Sequence, residues 1–531
     1  MEEEISCHQV GMMMRIKLFL SNRSNVILLA ILSIGAFTRL YRISDYMTFL
    51  GDEGRDVLLV KHILEGELTL LGPRSSAADF YYGPIYYYLI TPFLWLFHYD
   101  PVGPAVFIGV LGVLTVYLVY VVGKKFFSQA TGLVAAALYA VSPVVVAYSH
   151  SSWNPNPLPF VSLISLFILY LALKKPSIKK FIGVGVLLGI AMQLQYLALF
   201  LIAIVGVYTL LGTFIQEKKQ LIKLLLQRYA SLGLGFMIGL SPFLTFEIYH
   251  GFPNLKTLLD LLLGKYSDSV GGSFSVGGQI LEVFFKLFGR LITAFPLVDQ
   301  RQIYDNPNLF FWYSGTLLLA ILSILSLFRM KDRLAQLMLI CWLIIGVSLF
   351  GFYKKEIYDY YLGFMFTLPF LLVASFMTSV FEKYKNIIIR VAVVILFIIL
   401  FVINVLKLSI LSAPNMQKEQ TRQIAEFVIE KSGGKPFNFA LITPGNSDHG
   451  YRYYMEILGN KSVEMENLIT DPERKTVTDQ LLIICEDIKC QPLGYSLFEV
   501  AGFGRAEVAG EWDTSVVKVF RMVHYTENKS E

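Results

Sequence analysis

Residues 49–57 read FLGDEGRDV, so Asp52, Glu53, Arg55 and Asp56 fall within five positions. Carboxylates beside a guanidinium suit chemistry next to a bound anion. A carboxylate accepts the proton of an attacking hydroxyl, and a cation meets the charge that grows on a departing phosphate. An oxocarbenium-like centre also gains from nearby negative charge. Lys354 and Lys355 in FYKKEIYDYY (352–361) and Arg74 in LLGPRSS are further candidate phosphate ligands. Tyrosines follow at Tyr81, Tyr82, Tyr86, Tyr87 and Tyr88. This inventory fits attack by a hydroxyl on a sugar held by a lipid phosphate, with a carboxylate of the Asp52–Glu53 pair taking the proton. No His/Asp cluster suggests a metal site, and no cofactor is expected; a divalent cation stays open.

These residues must sit where lipid meets water. The chain has 531 residues, is 55% AVILMFWYC and only 16% charged, where soluble domains carry about a quarter charged residues. The net charge of +5 is too small to imply nucleic acid. Apolar runs near 26–37, 101–122, 132–148, 157–173, 181–196, 197–214, 229–249, 308–328, 334–352, 360–381 and 387–411 predict about eleven membrane spans of ~17–25 residues. The first run has no small-x-small cleavage site after it and is read as an uncleaved span. GPIYYYLITPFLWLF (83–97) is shorter, aromatic and holds two prolines, which predicts a helix lying at the interface.

Lysine and arginine set the orientation. With 83–97 in plane, the basic connections Lys124-Lys125, Lys174 to Lys180, Lys218 to Arg228, Arg329 to Arg333 and Lys383-Lys385 share one side with Arg15, Lys17 and Arg23. That is the positive-inside pattern, and a crossing at 83–97 would invert it. The expected topology puts the N-terminus in the cytoplasm of a multi-pass plasma-membrane protein. Segment 41–100, the turn SHSSWNPNP (149–157), loop 250–307 and the 352–361 connection then face outwards. Lys354 and Lys355 break the charge pattern, which suits an anion-binding role. Gln193 and Gln195 read as the polar tip of an outer hairpin.

Past Leu411 the pattern changes. EQTRQIAEFVIEKS predicts a helix ending at Gly433-Gly434, and FNFALIT, QLLIICE and SVVKVFRMV predict strands. Residues 412–531 therefore read as a small extracytoplasmic α/β domain on a 1–411 transmembrane domain. Cys485 and Cys490 read as free thiols, with pairing open if their compartment oxidises. GGSFSVGG (271–278) predicts a mobile loop, and QILEVFFKLFGRLITAF after it a second interfacial helix.

GDEGRDVLLVKHILEG, LLGPRSS, YYGPIYYYLITPFLWLF and DPVGPAVF together resemble the N-terminal part of C-type membrane glycosyltransferases, in the group of protein O-mannosyltransferases and lipid A aminoarabinose transferases. SHSSWNPNPLPF and YYLGFMFTLP fit the same pattern, and the likeness spans about residues 25–381. The resemblance implies many transmembrane helices and a polyprenyl-phosphate-linked sugar used on the outer face. It implies Asp52 as base, Glu53 assisting, and Arg55 at the donor phosphate. Relatives often carry an arginine and an aspartate in the second outer turn, where this chain has His150 and Asn154 or Asn156. A second acid is thus missing, which leaves the acceptor open among protein, lipid and glycan. His150, Asn154 and Asn156 still suit hydrogen bonds to sugar, and Tyr82, Tyr86, Tyr360 and Tyr361 are candidate cavity walls.

Two other classes compete. In a transporter or lipid flippase, Asp52 and Arg55 would be gating or substrate groups, but transporters place polar breaks near mid-membrane in paired halves, and this chain gathers charge at one face. An acceptor-binding scaffold without catalysis is the third reading.

Overall fold

The computed structural model describes residues 23–75, 79–263, 275–298, 300–353, 355–487 and 490–526. Lys354 and residues 271–274 of GGSFSVGG lie outside the described residues, and the rest of that stretch opens the helix Val276–Phe285. Among the described residues, seven helices are long and apolar enough to cross a bilayer: Arg23–Leu40, Val102–Phe126, Ala198–Gln216, Leu221–Gly239, Pro307–Arg329, Arg333–Phe352 and Ile387–Leu406. Two bent pairs, Gln129–Val141 with Pro143–Ser149 and Asp359–Met365 with Leu368–Lys383, bring the number to nine if each pair is one span. The other two expected spans are Leu158–Lys174 and Ile178–Leu194, each 17 residues, at the short end of the crossing range. The protein is a multi-pass membrane protein.

The bend in the first pair is 64° and has a chemical cause. Pro143 lacks the N–H that would reach the Tyr139 carbonyl. The end of the first span meets the freed groups. Arg39 Nη2 donates to Tyr139 O (3.2 Å), Arg39 Nη1 to Ala140 O (2.9 Å), and Thr38 Oγ1 to Ala140 O (3.0 Å). Ser142 Oγ donates to Leu291 O (2.8 Å) on the other side. The bend turns the chain out of the bundle just before the 149–157 turn.

Segment 83–97 forms the 12-residue helix Ile85–Leu96, too short to cross. Two of its three tyrosines are enclosed by protein. Tyr86 and Tyr87 are fully buried, because the helix packs between Gly51–Leu64 and Val102–Phe126. Pro92, Trp95 and Leu96, all in its second half, are exposed. Gln193 and Gln195 are likewise not an exposed tip. Gln193 Nε2 donates to Gly239 O (2.7 Å), and Gln195 Oε1 accepts from the Tyr82 hydroxyl (3.0 Å), so both tie buried backbone and phenol together. The stretch after GGSFSVGG forms the helix Val276–Phe285 and runs on through a π-helical turn to Arg290.

The C-terminal domain carries a four-stranded sheet in the order β1-β2-β4-β3, with β1 Asn438–Ile442, β2 Gln480–Cys485, β3 Ala506–Thr514 and β4 Val517–His524. β1 and β2 are parallel, and the other pairs are antiparallel. Helix Gln417–Ser432 stops at Gly433, whose φ of 63° is left-handed, a backbone state glycine adopts without penalty. β3 has no counterpart in the sequence reading. It is an edge strand whose residues are all intermediate or exposed, so it lacks an apolar alternation. Cys485 and Cys490 form a disulfide, contrary to the free thiols expected; they flank the turn that leaves β2.

Candidate active site

Helix Gly51–Leu64 presents the acidic motif, and the two acids have different surroundings. The Asp52 side chain is half-exposed and accepts from Arg55 Nη1 at 2.7 Å. Glu53 is buried; Oε1 accepts from Ser151 Oγ (2.6 Å) and Oε2 from Leu50 N (3.2 Å). Burial pushes the Glu53 carboxyl up, and the Ser151 hydroxyl works against that shift. Glu53 therefore joins the start of the helix to the 149–157 turn, while Asp52 faces open space.

Asp56 was not singled out by the sequence reading. It is fully buried, and Arg55 Nη2 and Nε both donate to its Oδ1 (2.7 and 3.0 Å). Its other oxygen, Oδ2, has no hydrogen-bond partner, and neither does the nearby Tyr87 hydroxyl. Burial outweighs the guanidinium and pushes the Asp56 carboxyl up to about 7. The signal was present in the sequence as the fifth residue of the motif, but nothing there showed that it points inwards. Arg55 thus bridges Asp52 and Asp56.

A cleft of about 600 Å³ opens at Asp52. Asp52, Glu53, Tyr148, Ser151 and Trp153 line one side, and Gly445, Asn446 and Ser447 of the C-terminal domain line the other. A narrow cavity of about 20 Å³ is walled by Ile108, Leu111, Val145, Phe366, Asn156 and Tyr360, and shares Tyr148 with the cleft. Trp153 packs on Tyr360 with ring centroids 4.5 Å apart, so the two cavities meet at an aromatic wall.

Several expected site residues lie elsewhere. Arg74 is exposed and pairs with Asp79 (3.0 Å), and it lines neither cavity. His150 is buried, with Nε2 on Thr38 O (2.9 Å), and Asn154 Nδ2 donates to Leu194 O (2.7 Å). Both hold the turn to neighbouring helix ends, because buried backbone carbonyls need donors. Tyr86 is buried on Ser152 Oγ (2.8 Å), and Tyr82 stacks on Tyr196. Tyr361 is buried against Tyr196, Tyr353 and Tyr358. Asn156 and Tyr360 do line a cavity, and Asn156 Nδ2 also donates to Ser151 O (2.7 Å). Lys355 lines neither cavity. Among the cations missed by the sequence reading, Arg290 pairs with Asp359 (2.9 Å) and acts electrostatically on Tyr148. Among the described residues, no group of three or more His, Cys, Asp or Glu could hold a metal ion.

Residues 82–246 match the family model of dolichyl-phosphate-mannose-protein mannosyltransferases, a stretch that covers less than half of the chain and begins after the acidic motif. Among solved structures, ArnT from Cupriavidus metallidurans bound to undecaprenyl phosphate superposes with a TM-score of 0.61 at 13% identity, over 94% of this chain and 97% of that one. The fold is that of a C-type membrane glycosyltransferase. The archaeal oligosaccharyltransferase AglB from Archaeoglobus fulgidus, in complex with an inhibitory peptide and a dolichol-phosphate, superposes with a TM-score of 0.53 at 11% identity, over 88% of this chain and 70% of that one. No curated protein sequence matches the chain. The family model and the glycosyltransferase fold agree with the group that the sequence motifs resemble.

Proposed function

We propose that the protein is a glycosyltransferase that moves a hexosyl or pentosyl group from a polyprenyl-phosphate-linked donor to an acceptor hydroxyl on the outer face of the membrane. The observation that carries this reading is Asp52, half-exposed at the wall of a large cleft and held by Arg55. The acceptor oxygen attacks the anomeric carbon, its proton passes to Asp52, and the bond to the phosphate oxygen breaks as polyprenyl phosphate leaves. Arg55 orients Asp52 and adds positive potential near the leaving phosphate. Arg290 adds more at the Tyr148 wall, and Lys354 and Lys355 belong to the same outer connection as Asp359. Trp153 offers a face for sugar stacking. Protein cations carry the phosphate charge in this scheme, and a protein, lipid or glycan can supply the acceptor hydroxyl.

The test is release of undecaprenyl phosphate from hexosyl- and pentosyl-phosphoundecaprenols by purified protein. Asp52→Asn is expected to lower turnover at least a hundredfold with an unchanged unfolding midpoint. Full turnover in that variant would remove Asp52 as base. A transporter would move these lipids between leaflets of proteoliposomes without releasing lipid phosphate.

A further inference from the structure

The helix that carries Asp52 and Glu53 has one capping contact of its own, Glu53 Oε2 accepting from Leu50 N (3.2 Å), but no side chain just before it meets the N–H groups of its first turn. An α-helix leaves its first four N–H groups without intrahelical partners, and Ser, Thr, Asp or Asn just before the helix normally meets one of them. Here that position is Leu50, which makes no side-chain cap. Asn446 supplies the acceptor from 395 residues away: its Oδ1 accepts from Gly51 N at 2.8 Å. The same oxygen accepts from Ser447 N at 2.9 Å.

Asn446 is itself held in place. Its Nδ2 donates to Glu486 Oε1 (2.8 Å), which fixes its oxygen towards Gly51. Glu486 follows β2 and also accepts from the Thr443 hydroxyl (2.6 Å) and the Tyr451 hydroxyl (2.9 Å). One carboxylate therefore ties both ends of the loop that follows β1. That loop leaves the carboxyl end of a parallel strand pair, the edge at which open α/β sheets bind ligands. Its residues Gly445, Asn446 and Ser447 line the cleft opposite Asp52. The approach is close enough that a β-carbon on Gly51 would overlap Ser447.

We propose that Asn446 is a positioning residue for the transfer reaction, capping the Asp52 helix from the C-terminal domain. The site is then incomplete in the membrane domain alone, and the C-terminal domain takes part in the chemistry by fixing the direction of the acids. This rests on the glycosyl-transfer reading above.

The experiment compares full-length wild type, Asn446→Ala, and the double variant N446D/E486Q in detergent. The double variant swaps donor and acceptor: the carboxylate at 446 still accepts from Gly51 N, and the amide at 486 donates to it. Hydrogen exchange of the 51–55 amides is expected to rise about tenfold in Asn446→Ala and to return to within about threefold of wild type in the double variant, since every tenfold is one cap-sized step in the opening equilibrium. Protection of helix His449–Ile457 reports that the domain stays docked. Release of undecaprenyl phosphate is expected to lose about tenfold in kcat in Asn446→Ala, with donor KM within twofold, and to recover in the double variant. Wild-type exchange in Asn446→Ala overturns the cap. An equal loss of kcat in both variants, with helix His449–Ile457 protected, overturns the positioning role. If wild type releases no lipid phosphate from any donor, the glycosyl-transfer reading and the positioning role fail together, and the exchange data still decide the cap.

Discussion

Gly54 lies directly against Gly450, with no room for a side chain: a β-carbon at Gly54 would overlap the Gly450 backbone. The contact is where helix His449–Ile457 of the C-terminal domain docks on the acidic helix. Around it, Glu456 accepts from Lys61 (3.2 Å) and contacts His62 Nε2 (3.0 Å), and Phe49 packs edge-on against Tyr454. Gly54→Ala is expected to destabilise the docked state by about 1–3 kcal/mol, the usual cost of overpacking. The checks are a lower unfolding midpoint and faster proteolytic cleavage of the 407–416 connection. A variant as protease-resistant as wild type would show that the backbones can part without loss.

Asp56 gives stability a pH slope. Its carboxyl sits at about 7 in the folded chain, because it is fully buried, against an ordinary 3.8. Between about pH 4 and 7 the folded chain therefore holds more protons at this site than the unfolded chain, and stability falls as pH rises through that window. Above about 7 the contribution is constant. Asp56→Asn removes the slope, while Glu53 shifts in the same sense in both proteins and cancels. The unfolding midpoint of the variant relative to wild type is expected to climb from pH 5 to pH 8. The lost Arg55 contact sets the absolute offset but not the slope, so a flat difference would place Asp56 in a wetter site than the structure shows.

Ser151 is a second lever on the acids. Its hydroxyl donates to Glu53 at 2.6 Å and holds that carboxyl down against burial. Ser151→Ala is expected to raise the Glu53 carboxyl further. The acid limb of the pH profile for lipid phosphate release should then move to higher pH. An unmoved limb would mean that Glu53 does not titrate in the turnover range.

Much of this architecture was legible in the sequence, for reasons that differ by element. Apolar runs of span length have few alternatives in a bilayer, so the order of the crossing helices follows from composition. The acidic motif was legible because charge at the end of a span is costly to place without a use. What the sequence did not carry was direction. Asp52 and Asp56 are one helical turn apart, yet one faces the cleft and the other is sealed beneath Arg55. His150 and Asn154 have the chemistry of sugar ligands, but buried carbonyls at Thr38 and Leu194 take their donors. No role of their own was legible in the sequence for Gly51 and Gly54. Their role appears only once the C-terminal domain, some four hundred residues later, is seen against them.

The brace at Arg39 can be separated from ordinary burial by a double-mutant cycle. Arg39 is fully buried and gives hydrogen bonds to the Tyr139 and Ala140 carbonyls at the Pro143 bend. Arg39→Leu leaves the Tyr139 carbonyl without a donor, while Ala140 O keeps the Thr38 hydroxyl, and a buried group left unmet costs about 1–3 kcal/mol. Arg39→Lys keeps the charge but cannot fork to both carbonyls, so its unfolding midpoint should lie between the leucine variant and wild type. Pro143→Ala restores an N–H that can reach Tyr139 O in a straightened helix. In that background Arg39→Leu should cost less than it does alone, and the difference is the coupling between the guanidinium and the bend. Independent, additive losses would mean that Arg39 is held there for some other reason. Because the bend delivers Tyr148 and Ser151 to the cleft, turnover is expected to fall with the midpoint in Arg39→Leu even though Arg39 lines neither cavity.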